Sequence, residues 1–484
     1  MSLNLSSALL TDLYQLTMAY AYWKSGTYTK DAVFHLYFRN NPFQGGFTVC
    51  AGLQTVIDYL KNYRFSASDI TYLASLKGGD NKRFFDKAFL DYLAKLKFSC
   101  DIDAVPEGTV VFPNEPLLRV RGPIMQGQLL ETPLLNIVNF QTLIATKAAR
   151  VAIAAKGDTV LEFGLRRAQG FDGAVYASRA AYIGGCAATS NVLAGKMFDI
   201  PVKGTHAHSW VMSFDDELES FYAYARAMPN NAVFLVDTYN TMEGIKHAIE
   251  AGRWLRDHNR TFAGIRIDSG DLAYFSKQAR RMLDRAGFKD AKILASNDLD
   301  ENIIESLKEQ GARISVWGVG TKLATAYDQP ALGGVYKLSA VRKEDEEWED
   351  KLKLSEQSIK VSHPGILQVR RYRNKKEFIA DAIYDIRHQP DNGCTIIDPY
   401  DATRKKIITK KSLFVDLLEP VFAKGRLVCR PPKITQSRQR TLAQLDGFHG
   451  GLKRFINPHQ YPVGMEAGLF QRKTELVLKA RSLT

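Results

Sequence analysis

The sequence predicts an α/β protein whose centre is either a parallel (β/α) barrel or a doubly wound sheet. Between about residues 136 and 345, a short apolar run, a polar or glycine-bearing loop and a helical pattern recur about seven times, the rhythm of βα units. The loops that close these runs carry Arg, His, Asp, Ser and Gly. Residues 1–135 and 346–484 differ from this centre in texture, which divides the chain into an N-terminal α/β domain, the barrel-like centre and a basic C-terminal extension.

In the first stretch, apolar residues at helical spacing predict helices over 53–63 and 84–96. Residues 34–38 and 108–120 read as strands, broken by turn residues such as Pro113 and Asn114. In the centre the expected strands are 160–163, 201–203, 232–236, 264–267, 292–295, 313–317 and 334–341. Helical patterns fill most of the gaps, among them 274–286 and 301–310. The last stretch follows the charged run Lys343-Glu344-Asp345-Glu346-Glu347. It mixes strand-like pieces with basic segments, and pattern alone assigns it no fold.

The 484 residues suit two or three domains. With 45% hydrophobic and 24% charged residues the composition is that of an ordinary globular chain. No stretch approaches the roughly 20 apolar residues of a membrane helix, and the N-terminus lacks the pattern of a secretory signal. The five cysteines are scattered, with no C-x-x-C, so neither a zinc site nor a disulfide framework is signalled. A reducing cytoplasm is the expected setting. Net charge is +13, and residues 401–484 carry 17 Lys+Arg against 6 Asp+Glu. Such a surface attracts polyanions, but no RNA-binding or helix-turn-helix signature accompanies it, so a solvated face is expected rather than nucleic-acid binding.

The loops hold the chemistry. Gly318-Val319-Gly320-Thr321 follows an apolar run, and its glycines let backbone N–H groups approach an anion. It completes neither a dinucleotide fingerprint nor a Walker A motif. In Arg266-Ile267-Asp268-Ser269-Gly270-Asp271, alternation puts Arg266 and Asp268 on one side. An inward Arg needs a partner, either a substrate carboxylate or phosphate or an internal ion pair with Asp268. Asp268 and Asp271 are candidates to hold Mg²⁺ through water beside a diphosphate. Arg166 and Arg167 add two cations at another loop, and Ser296 ends a further run. His206 and His208, at i and i+2, would face the same way on a strand end. That spacing leaves three readings open: a metal pair as in barrel hydrolases, an acid, base or phosphate acceptor, or a structural histidine.

Several segments together resemble the nicotinate phosphoribosyltransferase family along nearly the whole chain. They are Thr11-Asp12-Leu13-Tyr14-Gln15-Leu16-Thr17-Met18, Phe38-Arg39-Asn40-Asn41-Pro42-Phe43 and Glu162-Phe163-Gly164-Leu165-Arg166-Arg167-Ala168-Gln169-Gly170. Gly204-Thr205-His206-Ala207-His208-Ser209, Asp268-Ser269-Gly270-Asp271-Leu272, Gly318-Val319-Gly320-Thr321 and Leu332-Gly333-Gly334-Val335-Tyr336-Lys337-Leu338 complete the set. The resemblance implies an irregular (β/α) barrel with an N-terminal α/β domain and a C-terminal extension, and a homodimer with sites at the subunit interface. The implied reaction joins nicotinate to phosphoribosyl pyrophosphate, giving nicotinate mononucleotide and pyrophosphate with coupled ATP hydrolysis and Mg²⁺. It implies that His208 is phosphorylated by ATP, that Tyr14, Thr205, His208 and Arg266 contact nicotinate, and that Thr321 contacts phosphoribosyl pyrophosphate. Arg166, Arg167, Ser296, Gly318 and Gly320 are the further candidates for phosphate, and Asp268 for stabilising a cationic sugar. The nicotinamide-using relative is the nearest alternative. It carries an aspartate after the Gly-Thr where this chain has His206, which would tolerate or attract a carboxylate.

Overall fold

The computed structural model describes residues 8–343 and 346–482. Glu344 and Asp345 of the charged run therefore lie outside the described residues. The architecture is mixed α/β, and by contacts it forms two compact units: residues 1–143 with 331–484, and residues 144–330.

The first unit is built from both ends of the chain. An antiparallel seven-stranded sheet runs in the order Glu349–Asp350, Gly334–Arg342, Asp31–Phe38, Leu118–Pro123, Asp101–Ala104, Glu419–Ala423, Arg426–Leu427. The strand Asp31–Phe38 is buried at every position after its first, His35 included, so it shows no apolar–polar alternation. The C-terminal stretch also forms a six-stranded sheet of its own, centred on Leu367–Arg373, Phe378–Asp385 and Val463–Glu466. Fully buried Arg371 is held there by Asp381 at 2.5 Å, within cation–π range of Phe112, Phe378 and Phe448. The helix expected over 53–63 is Leu53–Lys61. That over 84–96 is Lys87–Lys95, started by Asp86, whose carboxylate accepts from the Phe89 N–H at 2.9 Å. The run 108–120 splits into Val110–Val111 and Leu118–Pro123, with Asn114 at φ 72° between them.

The run 334–341 does form a strand, but not in the central series. Gly334–Arg342 pairs antiparallel with Asp31–Phe38 in the first unit. A parallel crossover is usually carried by a helix that packs back on the sheet. After Val316–Val319 the chain offers only the one-turn helix Thr321–Ala324 before this strand begins.

The second unit holds a wholly parallel six-stranded sheet in the order Ala188–Thr189, Thr159–Glu162, Val316–Val319, Lys292–Ala295, Gly264–Ile267, Val233–Leu235. Leu161, Ala188 and Leu294, with Phe163 and Val316, form an apolar cluster between its strands. Helices pack on it by their apolar stripes: Thr241–Asp257 buries Ile245, Ala248, Ile249 and Leu255, and Leu272–Arg285 buries Leu272, Ala279 and Leu283. The run 201–203 is not a strand but a single bridge from Val202 to Thr189, since Pro201 has no N–H to extend a ladder. The short strand Ala188–Thr189 that receives it is too brief to show a period in sequence. The segment from Pro201 to His208 lies between the two edge strands. Val202 bridges to one edge, and on the other side the Leu235 N–H donates to His206 Nε2 at 3.2 Å. This is where the sheet is irregular, and where the two histidines diverge.

Candidate active site

In a parallel sheet the loops at the carboxyl ends of the strands converge on one face. In the second unit those ends deliver Glu162, Asp237, Arg266 to Asp268, Ser296 and Gly318 to Thr321.

Arg266 is the best-held group. Its Nε donates to Ser296 Oγ at 2.7 Å, Nη1 to Thr205 Oγ1 at 3.3 Å and Nη2 to Asp268 Oδ1 at 2.8 Å. The ring of Phe163 lies 6.0 Å from its guanidinium carbon. Arg266 and Asp268 thus share one side, as alternation along a strand requires, and form the internal ion pair. A guanidinium has five N–H donors, so one on each Nη stays available for an anion. With its side chain only 15% exposed, Arg266 presents them where water competes little.

Asp268 is drawn in two directions. Burial pushes its carboxyl up, but the Ser296 hydroxyl and the Arg266 charge outweigh that and hold it below the usual carboxylate range. Its backbone N–H donates to Asp237 Oδ2 at 2.8 Å, and the Ser269 hydroxyl donates to the same oxygen at 2.7 Å. Asp237 Oδ1 is buried without a hydrogen-bond partner among the described residues. Ser296 is occupied with Arg266 and Asp268, so its observed contacts position those two groups.

His206 and His208 have opposite settings. The His206 ring packs against Tyr224 at 4.8 Å and Phe221 at 6.1 Å between centroids. Burial pushes its imidazole down to about 4, so it is neutral, and its Nε2 accepts the Leu235 N–H. His208 starts the short helix His208–Met212 and is 40% exposed. Its Nδ1 pairs with Thr238 Oγ1 at 3.2 Å, and Nε2 lies 3.9 Å from Asp268 Oδ2. The expectation that both imidazoles face the same way assumed a strand, and 204–208 is not one. The metal-pair reading needs both rings to converge on one ion, and His206 is engaged elsewhere.

The glycine loop packs closely as well as leaving backbone accessible. A Cβ on Gly318 would meet the Phe163 ring at 2.7 Å, and one on Gly164 would meet Ala324 Cβ at 2.3 Å. Thr321 opens the one-turn helix and is half-buried. Arg166 and Arg167 lie in the exposed turn Leu165–Arg167 and make no ion pair among the described residues. Asp271 caps the helix Leu272–Arg285, with Oδ1 accepting from the Tyr274 N–H at 2.9 Å. Tyr14 belongs to the first unit, where it is 49% exposed on the helix Leu13–Lys24.

Models of the N-terminal domain of nicotinate phosphoribosyltransferase, of the family itself and of its C-terminal domain match residues 9–139, 159–370 and 368–473. The chain belongs to the nicotinate phosphoribosyltransferase family. It is 45% identical over 482 residues to the nicotinate phosphoribosyltransferase of Bacillus subtilis, covering 99% of this chain and 96% of that protein. It is 36% identical to that of Caenorhabditis elegans over 97% of this chain and 93% of that one. Among solved structures, human nicotinic acid phosphoribosyltransferase matches with a TM-score of 0.83 at 30% identity, covering 96% of this chain and 99% of that one.

The site also draws in Asp237, Thr238 and Glu162, which are not among the candidates named from the sequence. Asp237 and Thr238 end a strand in the same way as Asp268, and that shared context was the available signal. Glu162, buried at the end of Thr159–Glu162, accepts from Ser178 Oγ at 2.8 Å, Thr189 Oγ1 at 2.6 Å and the Gly164 N–H, and so fixes the arginine loop. At the position where the nicotinamide-using relative carries an aspartate, His206 tolerates a carboxylate without attracting it. A neutral, packed His206 attracts no carboxylate, so the positive group available to one is Arg266.

Proposed function

We propose that this member of the family condenses nicotinate with phosphoribosyl pyrophosphate to nicotinate mononucleotide and pyrophosphate, a salvage step toward NAD, with coupled ATP hydrolysis. The observation that carries the substrate choice is Arg266, clamped by Thr205, Ser296 and Asp268 with one N–H left on each Nη. A carboxylate can take both, whereas the carbonyl of an amide brings no charge to them. Thr205 and the exposed ring of Tyr14 are the proposed further contacts for nicotinate, the tyrosine by stacking on the pyridine.

The pyridine nitrogen attacks the anomeric carbon as the C–O bond to pyrophosphate breaks. Positive charge builds on the sugar, and the ionised Asp268 stabilises it. Arg166, Arg167 and the backbone of Gly318, Gly320 and Thr321 are the proposed phosphate ligands. His208 is the proposed phosphoryl acceptor. With Nδ1 on Thr238, its Nε2 is the nitrogen on the Asp268 side.

Mg²⁺ belongs to the same proposal. Asp268 and Asp271 are its proposed carboxylates, for an ion that takes one or two of them plus water and phosphate; among the described residues no group of three His, Cys, Asp or Glu is placed to hold a metal by itself. When bound it would neutralise the diphosphate. A homodimer is also proposed. Large apolar side chains stand exposed in each unit, Leu10, Leu13 and Met18 in the first and Phe171, Val192, Leu193 and Met197 in the second, and a second copy would cover such surface. A cytoplasmic location rests on the scattered cysteines. Among the described residues, no helix is long and apolar enough to cross a membrane.

The test is a competition. Protein with phosphoribosyl pyrophosphate, Mg²⁺, ATP and equal nicotinate and nicotinamide is followed by mass detection of both mononucleotides. Nicotinate mononucleotide should dominate; consumption of nicotinamide alone refutes the assignment.

A further inference from the structure

We infer that the second unit carries another binding pocket, for oligophosphate anions, on the face of the sheet opposite the catalytic loops. A depression of ≈ 680 Å³ is lined by Lys277, Arg280, Arg281, Asp284, Lys289, Gly311 and Arg313. Five cations meet one carboxylate, and no apolar side chain larger than glycine takes part. Its place follows from topology. Lys289 precedes the strand Lys292–Ala295 and Arg313 precedes Val316–Val319, while Ser296 and Gly320 follow those strands. Each strand is four residues long, so the two faces are separated by roughly 13 Å of strand at about 3.3 Å per residue.

Local structure explains only some of these charges. Arg280 is braced, with Nη1 on the Ala291 carbonyl at 2.7 Å, Nη2 on the Phe288 carbonyl at 2.6 Å and Nε on Asp284 at 2.9 Å. Lys277 donates to the Gln310 carbonyl at 3.1 Å. Lys277 thus serves the C-terminus of the helix Glu301–Glu309, and Arg280 ties down the loop that follows its own helix. Arg281, Lys289 and Arg313 make no side-chain hydrogen bond or ion pair among the described residues. Asp284, the one carboxylate, is already paired with Arg280. Three free cations around a depression held open by a braced fourth form a receptor for several negative charges at once. The lining offers no aromatic platform for a base, so the pocket reads linked phosphates and not a nucleoside. Its volume fits a small ligand.

Hydrogen exchange on the full chain, without other substrates, tests this with inorganic triphosphate, ATP, AMP and sulfate at matched ionic strength. Triphosphate should slow exchange in 277–289 and 310–313. Equal protection by ATP assigns the site to an oligophosphate tail wherever it is carried, and protection by triphosphate alone assigns it to inorganic oligophosphate. Arg281→Glu with Arg313→Glu should abolish the protection and weaken triphosphate binding there by at least about tenfold, with kcat unchanged. Lys289→Glu, on an exposed loop, is the second variant if the pair fails to fold, and it should weaken the same protection. No protection in these segments, protection that survives charge reversal, equal protection by sulfate, or protection by ATP alone would each overturn the inference. The readout is local and needs no turnover, so a wrong catalytic assignment leaves it standing.

Discussion

Arg266 offers the most demanding test of the substrate reading. Three of its five donors are committed to Ser296, Thr205 and Asp268. The remaining pair, one on each Nη, can bind a carboxylate bidentately. At a side chain only 15% exposed, such a charged contact is worth about 3 kcal/mol. At 1.4 kcal/mol per decade, Arg266→Ala should raise the KM for nicotinate by about 100-fold. Arg266→Lys keeps the charge but offers a compact ammonium in place of a planar fork, and should cost about tenfold. The KM for phosphoribosyl pyrophosphate should move by less than about threefold in both variants, because that binding is uniform to the change. Initial rates of mononucleotide formation, with each substrate varied against saturating partner, give the numbers. A thermal melt checks that Asp268, deprived of its ion pair, has not unsettled the fold. An equal rise in both KM values would refute the reasoning and make Arg266 a phosphate ligand.

Further outcomes follow from the other site residues. His208→Ala should lose ATP stimulation and the base-stable, acid-labile phosphoryl label expected of phosphohistidine; normal labelling of the variant would sink that role. His206→Ala should instead cost about 2–4 kcal/mol of stability in denaturant titration, because it orphans the Leu235 N–H and empties a packed aromatic site. The buried His206 imidazole, held down to about 4, resists protonation in the fold while the unfolded chain accepts a proton near 6.5. Its contribution is therefore present above pH about 6.5 and lost as pH falls toward 4, a change of about 3 kcal/mol that His206→Gln should remove from the pH–stability curve. Gly318→Ala would drive a methyl into the Phe163 ring at 2.7 Å, for about 1–3 kcal/mol of destabilisation. Because that ring lies beside Arg266, the KM for nicotinate should rise as well, and an unchanged melt and KM would show that the glycine is not there for packing.

Much of this protein is local, and local features are legible in a sequence. Strand, polar loop and helix alternate because apolar period and turn chemistry are written residue by residue. The helices expected over 84–96 and 274–286 form for the same reason, although their starts are set by the caps Asp86 and Asp271. Arg266 and Asp268 share a side because side chains on a strand alternate, and their 2.8 Å contact bears that out. What failed to appear in the sequence depends on partners far along the chain. Gly334–Arg342 has the look of one more strand in the series, and only its pairing with Asp31–Phe38 assigns it to the first unit. His206 and His208 are alike in spacing, yet one accepts a backbone N–H from Leu235 and the other pairs with Thr238. Periodicity therefore determined the chemistry available at each loop. The long-range hydrogen bonds and burial, which carry no local period, decided which histidine supports the site and which one faces it.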